Sequence, residues 1–180
     1  MTFLEVYDGV KRFQNDIVDI VAEILKRNQQ IIVDLVKEQL LSGLDADHNL
    51  LTPTYLNDEH FISKRKRTKP RKPDKKSAAE EYADKKKKLY DEHNRLKKFG
   101  DLFPDKPENT PNLIVSGSFH DAIYIQIKGQ NYVIDSTYED SAKIQRKYNN
   151  RVLTLNRTSI EKLTELISGE LIVELEKRYG

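Results

Sequence analysis

The 180-residue chain has no cysteine, no tryptophan, one methionine and seven glycines. Without cysteine there is no disulfide scaffold, no thiol nucleophile and no Cys-ligated zinc site. The glycines stand singly at 9, 43, 100, 117, 129, 169 and 180. None belongs to a phosphate-cradling loop or a dinucleotide fingerprint. Long apolar runs are missing too. No window approaches the roughly 18 uncharged apolar residues of a membrane span. Residues 1–5 lack the basic start and apolar run of a signal peptide. The expectation is a soluble protein folded in a reducing cytosol, away from membranes. The hydrophobic fraction, 37%, is below that of a compact domain, and mean hydropathy is −0.72. Part of the chain is therefore expected to lie outside any core.

What is abundant is charge, unevenly placed. Residues 64–98 carry 16 Lys/Arg and 6 Asp/Glu, a balance of +10. The other 145 residues carry 15 basic and 23 acidic groups, a balance of −8. The net charge of +2 is the sum of the two. The basic block has little apolar surface to offset its ordering entropy. It divides the chain into three parts: a helix over 1–43, a loop and basic insertion arm over 44–111, and a hairpin with helices over 112–180.

In the first part, Phe3, Tyr7, Val10, Ile17, Val21, Ile24, Ile31 and Leu35 fall on a three/four spacing. Val18, Leu25, Ile32, Val36 and Leu40 widen the stripe, which predicts a long helix. Gly43 supplies its C-terminal cap. Forty helical residues span about 60 Å, more than a small core covers. The periodicity leaves room for a break at Asn28-Gln29-Gln30. Unbroken, the helix would need neighbouring subunits to cover its stripe. Residues 44–63 read as a loop. Ser77-Ala78-Ala79-Glu80 fits a capping box that starts a polar helix running to Phe99. Residues 101–111 form a Pro-rich connector.

In the last part, residues 122–128 and 131–135 flank Gly129-Gln130 as a β-hairpin. A short helix is expected over 138–148 with Ala142 and Ile144 inward. A final helix starts at Thr158-Ser159-Ile160-Glu161. Its inward side is expected to hold Ile160, Leu163, Leu166, Ile167, Leu171, Ile172 and Leu175. The fold class is α+β, with long N- and C-terminal helices packed on a small antiparallel sheet.

Signals for chemistry are weak. Ser116, His120 and Asp121 are neighbours in sequence, whereas a triad gathers its groups from separate elements. Asp45, Asp47 and Asn49 match the start of a calcium loop. Leu50 and Leu56 occupy the positions that need Gly and a bidentate Glu, so a polar surface loop is favoured. The four histidines, 48, 60, 93 and 120, show no metal spacing. Asn156-Arg157-Thr158 matches a glycosylation sequon and is read as a chance match near a helix start. No catalytic, cofactor or metal residue is assigned, and no enzyme activity is expected. The basic block is the exception. Lys64-Arg65-Lys66-Arg67 and Lys85-Lys86-Lys87-Lys88 suit non-specific phosphate binding or docking on an acidic partner surface. Regular aromatics for base stacking are missing.

One set of anchor positions resembles the tail-completion and virion-morphogenesis proteins of tailed bacteriophages. Gln39, Gly43, Asp45, Pro53 and Tyr55 look like the stretch after that family's first helix. The run Leu113-Ile114-Val115-Ser116-Gly117-Ser118-Phe119-His120-Asp121-Ala122-Ile123 is similar to its hallmark. Gln145 and the Arg151-Val152-Leu153 run resemble later anchors. Ser118 stands where the family commonly has Arg, Gln145 is not followed closely by Gly, and the segment after Arg151 lacks the usual Pro. The resemblance implies a non-enzymatic ring protein of the virion neck or tail, assembled in the host cytoplasm. Its implied partners are copies of itself, adjacent portal or tail proteins, and genomic DNA in the lumen. The alternative is a non-specific nucleic-acid-binding protein using 64–98. In physical terms, Ser116 would cap a short helix, Gly117 would allow a tight approach to it, and Phe119 and Ile123 would bury one face. A plain turn before a strand fits the same residues equally well.

Overall fold

The computed structural model describes residues 2–55, 57–58, 84, 97–114, 117–128 and 131–179. Helix α1 spans Phe3–Arg27. Its start is fixed by a capping box: the Thr2 hydroxyl accepts the Glu5 N–H at 3.3 Å, and the Glu5 carboxylate accepts the Thr2 N–H at 2.6 Å. The expected break falls at Asn28, where the backbone leaves helical geometry (φ −100°, ψ 19°). The Asn28 amide donates to Ile24 O at 3.0 Å and to Glu170 Oε1 at 2.8 Å. The break is thus pinned to the last helix.

Helix α2, Gln29–Leu41, is buried on nearly all sides. Gly43 ends it at φ +71°. Its N–H donates to Leu40 O and the Leu44 N–H to Gln39 O, the paired bonds of a glycine-terminated helix. Leu44, Leu51, Tyr55 and Phe103 are buried. Both flanks of the basic arm therefore belong to the body, although the sequence groups them with the arm.

Gly117 is in the left-handed region (φ +89°) and leads into α3, Ser118–Asp121. Strands β1, Ile123–Lys128, and β2, Asn131–Ser136, pair antiparallel from Ile123↔Ser136 to Lys128↔Asn131. The turn residues Gly129 and Gln130 lie outside the described residues. Helix α4 spans Ser141–Lys147 and α5 spans Arg157–Tyr179. Among the described residues this is the expected α+β layout: long terminal helices with a two-stranded antiparallel sheet. The core joins α2 (Ile32, Leu35, Val36, Leu40), Phe119, Ile123, Val152, Leu155 and Leu163.

Several details differ from the sequence reading. Lys97, Lys98 and Phe99 form a bend, and a short 3-10 turn follows at Gly100–Leu102, so no polar helix runs to Phe99. The rest of that expected helix lies outside the described residues, apart from helical Asp84. Ala142 is exposed, and buried Ser141 takes the inward position on α4. Ile160 and Ile172 on α5 are exposed, whereas Leu163 is buried. Leu166, Ile167, Leu171 and Leu175 are half-buried, so the α5 stripe is narrower than its periodicity.

Candidate functional site

The anchor residues that carry the family resemblance are mostly structural. Phe119 and Ile123 are both buried. Phe119 sits edge-on to Tyr138, with centroids 6.1 Å apart. Ile123 opens β1, so the two do not share a helix face. Ala122 follows α3 and is half-buried. Ser116 lies outside the described residues, and Gly117 itself holds the position before α3. Gln145 Nε2 donates to Ser141 Oγ at 3.2 Å. Arg151 pairs with Asp47, and its carbonyl accepts the Ala46 N–H at 3.0 Å. The Asp45 carboxylate accepts the N–H groups of Asp47 and Asn49, at 2.9 and 2.8 Å. That is a side-chain-stabilised turn, the polar loop expected at this position.

Ser118 and Asp121 are exposed, whereas His120 is buried. His120 Nε2–H donates to Asn112 O at 2.9 Å. Its ring therefore anchors the loop before α3. The Asn156 sequon is a buried helix cap: Asn156 Oδ1 accepts the Ser159 N–H at 2.9 Å. Its amide donates to His48 Nδ1 at 3.2 Å.

A cleft of about 360 Å³ lies between α2 and α3. Its wall includes Asp34, Glu38, Lys98, His120 and Asp121. Asp34 and Glu38, four apart, share one face of α2. Asp34 receives Lys98 Nζ at 2.6 Å and Gln30 Nε2 at 2.9 Å. Glu38 accepts the backbone N–H groups of Lys98 and Phe99. Burial raises the Glu38 pKa above its ordinary value, while those N–H groups and nearby Lys97 draw it down. The carboxylates thus fix the chain where it leaves the basic arm. At the other root of the arm, buried Asp58 pairs with Lys147 of α4. Sequence reading missed both anchors. The available signal was a pair of carboxylates four apart inside the apolar run of α2. The candidate contacts Lys64, Arg65, Lys66, Arg67, Lys85, Lys86, Lys87 and Lys88 lie outside the described residues. Among the described residues, no group of three or more potential metal ligands occurs, and no helix is long and apolar enough to cross a membrane.

Two apolar surfaces remain uncovered. On the first half of α1, Phe3 is 85% exposed, Tyr7 54%, Val10 52%, Val6 46% and Phe13 43%. Helix α5 runs antiparallel to α1: Glu174 and Glu170 meet Arg27, and Tyr179 meets Asp16 and Phe13. Every residue from Thr2 to Arg12 is exposed. The second surface is a groove of about 340 Å³ lined by residues that include Val133, Ile134, Gln145, Leu153, Leu155 and Ile160.

No family model, curated protein or solved structure matches this chain.

Proposed function

We propose that this chain is a structural subunit of a tailed-phage head–tail connector or tail-completion ring, acting through protein contacts rather than catalysis. The observation that carries this reading is the pair of separate uncovered apolar surfaces, on α1 and beside the hairpin. Exposed patches of this kind mark interaction sites. A ring subunit touches a neighbour on each side and so needs two of them. The anchor positions from Gln39 to Arg151 supply the phage context. On this reading the protein resides in the virion neck or tail, beside portal or tail proteins. The test is native mass measurement of the purified protein, with co-sedimentation against portal and tail components. Discrete multimers that associate with those components are expected. A chain that stays monomeric at high concentration and binds neither would overturn the reading.

A second reading rests on a different observation, the +10 balance of residues 64–98. A block of that charge neutralises phosphates, and its binding weakens steeply with salt. In a connector the two readings coexist, because the genome passes through the lumen.

A further inference from the structure

The apolar seam of α1 is longer than the helix that covers it. Phe3, Val6, Val10, Phe13, Ile17, Ile20 and Ile24 alternate in steps of three and four, the spacing at which helices pack side by side. Where α5 runs alongside, Ile20 and Ile24 are buried and Ile17 is half-buried. Tyr179 packs edge-on against Phe13, which keeps 43% of its surface exposed, and from there the same seam continues as the exposed Val10, Val6 and Phe3. The uncovered stretch is thus continuous with an interface the chain already makes with an antiparallel helix.

Its composition says which helix fits. Read in either direction, the uncovered seam is Phe, Val, Val, Phe with steps of three, four and three. Such a surface is its own complement when turned through a half-rotation. We propose that two copies of this chain pair through the first halves of their α1 helices, antiparallel about a twofold axis. Phe3 of each copy then meets Phe13 of the other, and Val6 meets Val10. Contacts are reciprocal, as a twofold interface requires.

Two further features agree. The second copy's α1 begins where α5 stops and runs in the same direction. It sets a helix start carrying Glu5 against a helix end carrying Lys177 and Arg178. Opposite helix ends and opposite side-chain charges attract. A Cβ added at Gly9 would have nothing within 4 Å, so the flank of the seam is open to a second helix. The exposed parts of Phe3, Val6, Val10 and Phe13 amount to roughly 400 Å² per copy, given that an aromatic side chain alone buries 150–250 Å². A pair then buries up to about 800 Å², the size of a weak, reversible contact.

The pairing does not rest on the phage reading, and a twofold contact alone closes no ring. A ring of such pairs would use the hairpin groove for its other contact. The test exploits the absence of cysteine. Val6→Cys and Val10→Cys proteins are prepared separately, mixed and oxidised. Antiparallel pairing predicts cross-linked dimer in the mixture and little in either protein alone. Efficient cross-linking of Val6→Cys by itself would mean parallel helices and overturn the proposal. In parallel, sedimentation of the wild-type chain should show species containing at least two 21.0 kDa copies. Val6→Asp should lower the mass twofold while leaving the chain folded, as read by its circular dichroism. Larger wild-type multimers without the mixed cross-link would overturn the pairing and leave the ring reading standing. A wild-type monomer would overturn both.

Discussion

Gln39 and Asn156, 117 residues apart in sequence, are joined by a 2.8 Å bond from the Asn156 N–H to Gln39 Oε1. The same oxygen accepts the Ser159 hydroxyl at 3.2 Å, and Gln39 Nε2 donates to Thr154 O at 3.0 Å. One fully buried side chain therefore positions both the bent link before α5 and its first turn. Replacing Gln39 with Leu keeps most of the volume but orphans several buried groups. Each such group costs about 1–3 kcal/mol. Urea unfolding of Gln39→Leu should show a loss at or above that range, and a loss below it would mean that water takes over the bonds.

Asn156 caps α5 through the Ser159 N–H. Asn156→Ala should cost about 0.5–2 kcal/mol from the cap alone. Asn156→Asp keeps an oxygen that can accept the Ser159 N–H and should cost less than Asn156→Ala. Chemical denaturation of both variants would check the ordering.

Gly43→Ala tests the junction of α2 with the connector. Gly43 sits at φ +71°, and an added Cβ would come within 2.5 Å of Thr110 Cγ2 and 3.0 Å of Pro111 O. Left-handed geometry alone costs an L-residue about 1–2 kcal/mol. The collision with backbone adds to it. The midpoint of thermal unfolding should fall clearly, and Thr110→Ser should recover only part of the loss, because it removes the methyl and leaves the carbonyl.

The Glu38 carboxyl titrates above its ordinary 4.5, chiefly because of burial. A folded-state value above the unfolded one means that the folded chain binds the proton more tightly. The resulting stabilisation is full below pH 4.5 and is lost as pH rises through the folded value. Glu38→Gln removes this dependence. Stability profiles of the two proteins should therefore diverge across that window, with wild type losing ground as pH rises. Parallel profiles would mean that the Lys98 and Phe99 N–H groups offset the burial.

The basic segment makes its own prediction. Replacing Lys85, Lys86, Lys87 and Lys88 with Gln removes four positive charges. If the segment binds nucleic acid, retention on DNA should fall steeply, along with its salt dependence. Unchanged retention would remove the nucleic-acid reading.

Much of the fold was legible because hydrophobic spacing and local caps encode it. The first helix, its break at Asn28, the Gly43 stop, the hairpin and the last helix all follow from short-range signals. Tertiary choices were less visible. Ile160 and Ile172 share the α5 periodicity with Leu163, but which of them is buried depends on how far α1 and α2 reach along that helix. The sequon at Asn156 reads as a chance match near a helix start, and nothing local shows that it, Asp34 and Glu38 become buried once distant partners close over them. In the hallmark run, Gly117 and Phe119 announced a tight turn beside the core. Ile123 leaves that helix for β1, as the hairpin reading of 122–128 and the turn-before-a-strand alternative expect.

Helix α1 is one continuous helix with two thermodynamic regimes. Residues 17–27 share the protection of the body, while residues 2–12 are exposed throughout. An isolated helix of that length is marginal in water. Amide hydrogen exchange should therefore step sharply along α1, fast before Phe13 and slow after Ile17. Raising the protein concentration should erase the step if a second helix completes the seam.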